Sequence, residues 1–167
     1  YARYSQEDYA PALMHREALN FMRNNSDHPF FLYYASPIPH VPLQAPEQWV
    51  DYYVKKFGDE EPYQGEMNYF PCRYPRATYA AMISYLDEQV GELVSELKSL
   101  GVFENTLIIF SSDNGPTCGG GVQPQWFKSG GPFRSECGRG KATVYEGGIR
   151  VPMIASWPGK INAGENT

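Results

Sequence analysis

The 167-residue sequence has little of several features that would assign it to particular classes of function. Its formal net charge is -5 and it has no basic stripe, which argues against nucleic acid as a partner. No apolar run approaches the roughly 20 residues that a membrane-spanning helix needs. Only three cysteines and three histidines occur, with neither a CxxC pair nor the spacing of a zinc site. A GxxxxGK[ST] phosphate-binding loop is also absent from the sequence.

The few cysteines leave one structural question open. Cys118 and Cys137 flank a single loop, so they are able to form a disulfide, which would stabilise a loop of that length by roughly 3 kcal/mol in the chain-entropy model. Two free thiols in a loop are the simpler interpretation, and it is the one that the sequence favours.

What the sequence does contain is the hydrophobic periodicity of an α/β fold. Apolar residues at helical spacing predict helices over about 13–24, 46–56 and 75–100. Apolar runs rich in β-branched and aromatic residues predict buried strands at 29–35, 106–110 and 151–157. A strand, a long connection with a helix and a second strand form a βαβ unit, so we expect a mostly parallel central sheet with flanking helices.

Polar residues that could take part in binding or catalysis lie in the loops after the predicted strands. The three prolines of the segment 36–42 hold His40 on a stiff, extended loop after the first strand. Asp113 and Asn114 follow the second strand directly, where open α/β sheets bind their ligands. Lys141 lies between glycines in a later loop. We therefore expect these loops to converge at one edge of the sheet.

Each of these side chains has a chemical and a structural interpretation. The oxygens of Asp113 and Asn114 suit Ca²⁺ or Mg²⁺, but Asp-Asn-Gly is also a common turn sequence. Lys141 is able to bind an anionic group, or it is a solvated surface lysine. His40 is able to donate a proton near neutral pH, although a lone histidine in a proline-rich loop is more often structural. The residues alone leave both interpretations open.

The order of four segments resembles the formylglycine-dependent sulfatases, the arylsulfatase-type enzymes of the alkaline phosphatase-like superfamily. The segments are FFLYYASPIPHVP at 30–42, RATYAAMISYLDEQV at 76–90, TLIIFSSDNG at 106–115 and GKATVYEGGIRVPMIASWP at 140–158. The similarity extends over about residues 13–162, nearly the whole chain. It implies an α/β sandwich around a mostly parallel sheet, and calcium-dependent hydrolysis of sulfate esters.

The resemblance also implies a role for each candidate residue. Asp113 and Asn114 match the calcium ligands, Lys141 matches the lysine that contacts the sulfate group, and His40 matches the histidine beside the sulfate and the leaving oxygen. Such a set would neutralise charge on the sulfuryl oxygens and assist the leaving alkoxide. The implied substrates are sulfated sugars or aryl sulfates, with specificity in the loops 43–74 and 116–138. The implied compartment is periplasmic, secreted or lysosomal.

The nucleophile motif of this family is missing. The family makes its formylglycine from Cys or Ser in a C/S-x-P/A-x-R motif, and the segment from Cys72 to Arg76 has its proline one position late. We therefore do not interpret Cys72 as the nucleophile. The acidic pair that completes the calcium site is also missing. We expect residues 1–167 to be one segment of a sulfatase catalytic domain, with N- and C-terminal portions absent and no activity on its own.

Two other functions compete with the sulfatase hypothesis. A phosphatase or phosphodiesterase of the same superfamily would use two transition-metal ions bound by Asp and His, but no DxH pair accompanies His15, His28 and His40. A non-catalytic module that binds anions or glycans is the third hypothesis, because aromatic residues form 15% of the chain and exposed rings stack on sugars.

Overall fold

A computed structural model describes residues 8–164 of the chain. The helices are α1 (Ala10–Asn25), α2 (Glu47–Phe57), α3 (Pro75–Ser99), α4 (Pro124–Phe127) and α5 (Glu146–Ile149), and the strands are β1 (Ile108–Ser111) and β2 (Met153–Ser156). Short 3-10 turns occupy Glu66–Asn68 and Phe103–Asn105. The predicted helices are confirmed as α1, α2 and α3, and the predicted strands at 106–110 and 151–157 are confirmed in shorter form as β1 and β2.

The long helix α3 is the element against which α1 and α2 pack. Arg23 of α1 donates two hydrogen bonds of 2.9 Å to the carboxylate of Glu96. On the α2 side, the hydroxyls of Tyr53 and Ser84 lie 2.7 Å apart. The buried face of α3 near its N-terminus consists largely of small side chains, which allow close approach; these are Ala77, Thr78, Ala80 and Ala81. The three helices therefore form one layer organised by α3.

A carboxylate distant in sequence caps the N-terminus of α3. The side chain of the N-cap residue, Tyr74, makes no hydrogen bond to the free backbone N–H groups there. The buried carboxylate of Glu60 does so instead, since it accepts the N–H of Arg76 at 2.8 Å and the N–H of Ala77 at 3.0 Å. A negative charge at this end of a helix is also favourable to the helix dipole. Glu60 thus ties the loop after α2 to the start of α3.

We predict that Glu60→Gln lowers the stability of the protein that contains this chain by about 1–2 kcal/mol, because one capping bond and the charge are lost. The matched control is Glu61→Gln, which makes the same chemical change at the exposed neighbouring position. Thermal melting followed by circular dichroism measures both variants. Equal melting temperatures for the two variants would show that the cap contributes nothing.

The loop that carries His40 is anchored in the apolar core. Ile38, Val41 and Leu43 are buried together with Met82 of α3 and Val122 of the loop before α4. His40 itself is exposed. The prediction of a proline-rich loop that holds this residue away from any helix is confirmed, since residues 29–46 lie outside all helices and strands.

The strand predicted at 29–35 is not formed in the part of the chain that the structure describes. Exposure nevertheless alternates along it: Phe31 and Tyr33 are 86% and 81% exposed, whereas Phe30 and Tyr34 are partly covered. The Phe30 ring lies 5.8 Å from Phe21 of α1, and the Tyr34 hydroxyl donates to Gln89 of α3 at 3.3 Å. The segment has the period-2 pattern of a strand, but a strand also needs a hydrogen-bonded partner.

The sheet also differs from the prediction in its direction. Strands β1 and β2 are antiparallel, with Ile108 opposite Ser156 and Ser111 opposite Met153. Without a strand at 29–35 the predicted βαβ unit is incomplete, so the parallel sheet is not confirmed. The described residues therefore combine helices with one two-stranded antiparallel sheet.

This small sheet leaves apolar surface uncovered. Ile109, Met153 and Ile154 are 59%, 67% and 62% exposed. Both outer edges of β1 and β2 lack a partner strand among residues 8–164. A two-stranded sheet with exposed apolar side chains and open edges is a template for further strand pairing.

We predict that the isolated 167-residue chain self-associates in solution, because association would cover these edges and side chains. Sedimentation velocity over a tenfold range of concentration measures this. Replacing both Ile109 and Ile154 by lysine should shift the distribution toward monomer. A wild-type chain that remains monodisperse and melts cooperatively as a monomer would contradict the prediction.

No helix among the described residues combines the length and apolar composition required to cross a membrane.

Candidate active site

Two backbone hydrogen bonds join the loop after β1 to the loop before β2. The N–H of Gly115 donates to the carbonyl oxygen of Gly148 at 2.9 Å. The N–H of Lys141 donates to the carbonyl oxygen of Pro116 at 2.8 Å. Because both contacts are made by backbone groups, they fix the two loops side by side. Asp113 and Asn114 therefore lie on one side of this junction and Lys141 on the other.

Glycines make this close approach of the two backbones possible. A Cβ atom on Gly115 would overlap the carbonyl oxygen of Gly147, and a Cβ on Gly140 would overlap that of Pro116. A Cβ on Gly148 would lie only 2.5 Å from the carbonyl oxygen of Gly140. None of these glycines has a positive φ, so the requirement is for space rather than for an unusual conformation. At these three positions glycine is therefore required because it allows close contact between neighbouring backbones.

A disulfide closes the loop between these elements. Cys118 and Cys137 are bonded, with their Cα atoms 5.6 Å apart, so the interpretation as free thiols is wrong. Gln125 of α4 lies against the bridge, with Nε2 3.9 Å from each sulfur. Because Cys137 is four residues before Lys141, the bridge ties the lysine loop to the segment that follows Pro116. Sequence spacing permitted the bond but could not show that the two thiols meet.

Lys141 is half-buried, and polar and cationic residues flank it in the sequence. The hydroxyl of Thr143 donates to the carbonyl oxygen of Gly140 at 2.7 Å, which closes a tight turn around the lysine. The Arg139 guanidinium stacks on the Tyr145 ring at 4.4 Å, so a second cation is held close by in sequence. Neither Arg139 nor Thr143 was among the predicted site residues. Their position two residues from Lys141 is the one feature of the sequence that could have indicated a role near the site.

The hydrogen bonds of His40 assign roles to its two ring nitrogens. Its backbone N–H donates to Pro37 at 2.7 Å, and its ring Nδ1 lies 2.7 Å from the carbonyl oxygen of Val41. A carbonyl oxygen only accepts, so Nδ1 is assigned as the donor of this bond and Nε2 is the ring nitrogen left for another partner.

The structure thus places side by side the two loops that carry three of the four predicted residues, and connects the loop of the fourth indirectly. Asp113, Asn114 and Lys141 lie at the junction of the two loops. The His40 loop reaches the same region through Val41, because a Cβ on Gly120 would lie 2.5 Å from the Val41 side chain. Within the described ranges, no hydrogen bond joins His40 to the other three residues. Convergence of all four on one ligand stays a prediction.

The donor chemistry at the junction fits part of a calcium site. The Asp113 carboxylate is exposed. The Asn114 amide nitrogen donates to the carbonyl oxygen of Gly115 at 2.9 Å, so its oxygen remains an acceptor for a cation. Ca²⁺ takes six to eight oxygen ligands. Among residues 8–164, no group of three or more His, Cys, Asp or Glu side chains is placed to hold a metal. These residues would supply two of several ligands.

Cys72 has the environment of a structural thiol. It is partly buried beside the N-terminus of α3, and its thiol donates to the Thr78 hydroxyl at 3.3 Å. Burial raises the pKa of the Cys72 thiol above that of a free cysteine. A thiol with a raised pKa is a poor nucleophile at neutral pH.

We predict that iodoacetamide alkylates Cys72 in the folded protein at pH 8 about tenfold more slowly than in the urea-denatured protein. Since the pKa is raised, the thiolate fraction is small at pH 8, and the rate should still be rising above pH 9. Mass spectrometry with the disulfide left intact follows the single free cysteine. A folded-state rate equal to the denatured one would contradict the assignment.

Comparison with known proteins shows the family to which the chain belongs. The Sulfatase family model matches residues 2–167. The chain belongs to the sulfatase family. It is 34% identical over 152 residues to N-acetylgalactosamine-6-sulfatase of Rattus norvegicus, which covers 90% of the chain and 24% of that protein. It is 33% identical over 138 residues to human arylsulfatase A, covering 83% of the chain and 22% of that protein.

A solved structure is similar to this sulfatase segment in fold as well as in sequence. The crystal structure of Ps i-CgsB has a TM-score of 0.72 and 34% sequence identity, over 94% of the chain and 30% of that protein. The same protein has been crystallised with k-i-k-neocarrahexaose, an oligosaccharide. The chain spans about a quarter of the length of the curated relatives it matches.

Proposed function

We propose that this chain is one segment of the catalytic domain of a sulfatase, and that the full-length protein hydrolyses sulfate esters of sugars or aryl alcohols. The observation that supports this best is the backbone junction between Gly115 and Gly148 and between Pro116 and Lys141. It brings the loop that carries Asp113 and Asn114 against the loop that carries Lys141, which supports a site that combines cation ligands with an anion-binding group.

In the proposed site this chain supplies charge stabilisation and a proton. The Lys141 ammonium group would bind the sulfuryl oxygens and stabilise the negative charge that they gain in the transition state. The His40 Nε2 would donate its proton to the leaving oxygen, while the bond from Nδ1 to the Val41 carbonyl keeps the ring oriented. Asp113 and Asn114 would hold a calcium ion, which when bound polarises the sulfate group.

The nucleophile must come from residues other than those of this segment. Cys72 does not fit the formylglycine role, because its thiol is partly buried against Thr78 and its proline is one position late for the motif. In the proposed full-length protein a formylglycine would supply the attacking oxygen. This chain alone is therefore expected to release no sulfate.

The disulfide supports a compartment outside the reducing cytosol. Disulfides persist in secreted, lysosomal and periplasmic proteins and are rare in cytosolic ones. The Cys118–Cys137 bond lies beside the proposed site, so its loss would also affect activity. We infer that the full-length protein works in one of these oxidising compartments.

Sulfate release from the full-length protein tests the proposal. An aryl sulfate and a set of sulfated oligosaccharides serve as substrates, before and after removal of calcium with EGTA. We expect release that calcium restores after chelation. Two zinc or manganese ions per protein, together with phosphate release, would favour the phosphatase or phosphodiesterase alternative. Binding of sulfated sugars without any release would favour the non-catalytic module.

A further inference from the structure

A continuous row of aromatic side chains lies on the surface formed by α2, α3 and α4. Adjacent ring centroids along it are between 4.6 and 6.5 Å apart. We call it the aromatic row; its members are Trp49, Tyr52, Tyr53, Phe57, Trp126, Phe127 and Tyr79. The helices α2 and α4 belong to the two loop regions, 43–74 and 116–138, in which substrate specificity was expected.

In part of the aromatic row, exposed rings pack against neighbouring rings that are more buried. Phe127 packs between Trp126 at 4.6 Å and the partly buried Tyr79 at 5.1 Å. Trp126 and Tyr52 are 46% and 51% exposed. An exposed ring fixed by neighbouring rings loses little conformational freedom when it binds a ligand, which favours recognition through its face.

Cations lie against this open part of the aromatic row. The Lys56 Nζ lies 5.7 Å from the ring centres of both Tyr52 and Tyr53. The Arg76 guanidinium lies 5.0 Å from the ring centre of Trp126 and donates to Gln123 at 2.7 Å. None of the ion pairs among the described residues involves Lys56 or Arg76. Among those residues, each of these two cations is therefore left without a carboxylate partner for its charged end, although the Glu60 carboxylate accepts the backbone N–H of Arg76.

A negative charge lies at the Trp49 end of the aromatic row. The Trp49 indole N–H donates to the carboxylate of Glu88 at 2.8 Å. A bound anion at this end would be repelled by Glu88. The Trp49 ring centre is 6.1 Å from that of Tyr52, the ring that Lys56 covers, so along the row Lys56 lies between Glu88 and the part with Trp126 and Arg76. The charge pattern therefore favours the side of Lys56 that faces Trp126 and Arg76 for an anionic ligand.

We propose that Tyr52, Lys56, Arg76 and Trp126 form a subsite for the sugar rings of a sulfated oligosaccharide. The C–H faces of a pyranose would stack on the exposed rings, and a sulfate group would bind the adjacent cations. The subsite is linked to the candidate active site through the disulfide, because Gln125, next to Trp126, lies against Cys137, which is four residues before Lys141. This inference rests on the proposed function and names the substrate class.

The test is calorimetric titration of the full-length protein, which needs no turnover. The ligands are an oligosaccharide that contains N-acetylgalactosamine 6-sulfate, neocarrahexaose, and the desulfated form of each. The variants are Trp126→Ala and Lys56→Gln. The matched control is Lys55→Gln, which makes the same change as Lys56→Gln at the neighbouring exposed lysine of α2.

We expect wild type to bind at least one sulfated ligand more tightly than its desulfated form. Trp126→Ala should raise its Kd about tenfold, and Lys56→Gln should raise it about threefold and reduce its preference for sulfate. Lys55→Gln should stay within twofold. If Trp126→Ala lowers the melting temperature, Lys56→Gln at its exposed position carries the test.

Two results would overturn the subsite: no binding of either sulfated ligand by wild type, or Kd values that the Trp126 and Lys56 variants leave unchanged. Sulfate release measured in parallel separates this outcome from the failure of the proposed function. Binding through Trp126 without any sulfate release would contradict the sulfatase proposal and support the subsite. Sulfate release with unchanged Kd values in the variants would support the sulfatase proposal and contradict the subsite.

Discussion

Replacing Lys141 by alanine is expected to lower kcat of the full-length protein on an aryl sulfate by about 10²-fold or more. The size follows from the loss of one donor aimed at developing oxyanion charge, which typically costs about 10²–10³-fold. Lys141 is held in place by its backbone bond to Pro116 and by the turn that Thr143 closes on Gly140. Because those contacts involve backbone atoms or neighbouring residues, the substitution should remove the charge and leave the loop intact.

Controls distinguish a role in the site from general electrostatics. Lys160→Ala removes an exposed lysine just after β2 and should leave kcat within twofold. Lys141→Arg keeps the charge but changes its geometry, so it should recover part of the rate. Initial rates of sulfate release over a range of substrate concentrations separate kcat from KM. A Lys141→Ala variant with wild-type kcat would remove this lysine from the site.

Local sequence patterns were sufficient to predict most of the helical structure. Apolar residues recur at helical spacing along the 25 residues of α3, and Pro75 begins the helix as expected of a proline at the first helical position. Helix α2 is also confirmed, although its 11 residues offer a much shorter apolar pattern than those of α3. In each case the information lies within the segment itself, because helix hydrogen bonds join residues close in sequence.

Features that depend on distant residues could not be read in the same way. The segment 29–35 has strand-like alternation, but its backbone pairing depends on a partner that no local pattern shows. The capping of α3 by Glu60 joins positions 16 and 17 residues apart. The Cys118–Cys137 bond depends on the path of a glycine-rich loop. For the candidate site, the sequence indicated the residues, whereas the contact of the Asp113 and Lys141 loops required the fold.

The second large effect is expected at the glycine that lies in this contact. Gly115→Ala would place a Cβ on the carbonyl oxygen of Gly147, so the backbone of one loop must move. The move also threatens the hydrogen bond from Gly115 to Gly148, and with it the position of Asn114 beside the lysine loop. We expect a loss of about 3 kcal/mol or more in stability, at the upper end for overpacking, and a loss of most activity.

The same substitution, glycine to alanine, should raise the stability at another position of the chain. Gly91 lies on the exposed surface of α3, and a Cβ built there meets nothing within 4 Å. Gly91→Ala should therefore stabilise the helix by about 0.8–1 kcal/mol, since alanine has the higher helix propensity. Thermal melting and sulfate release on both variants of the full-length protein measure the contrast. If Gly115→Ala melts at the wild-type temperature with full activity, the two loops do not approach as closely as their hydrogen bonds indicate. The placement of Lys141 beside Asp113 would then lose its structural basis.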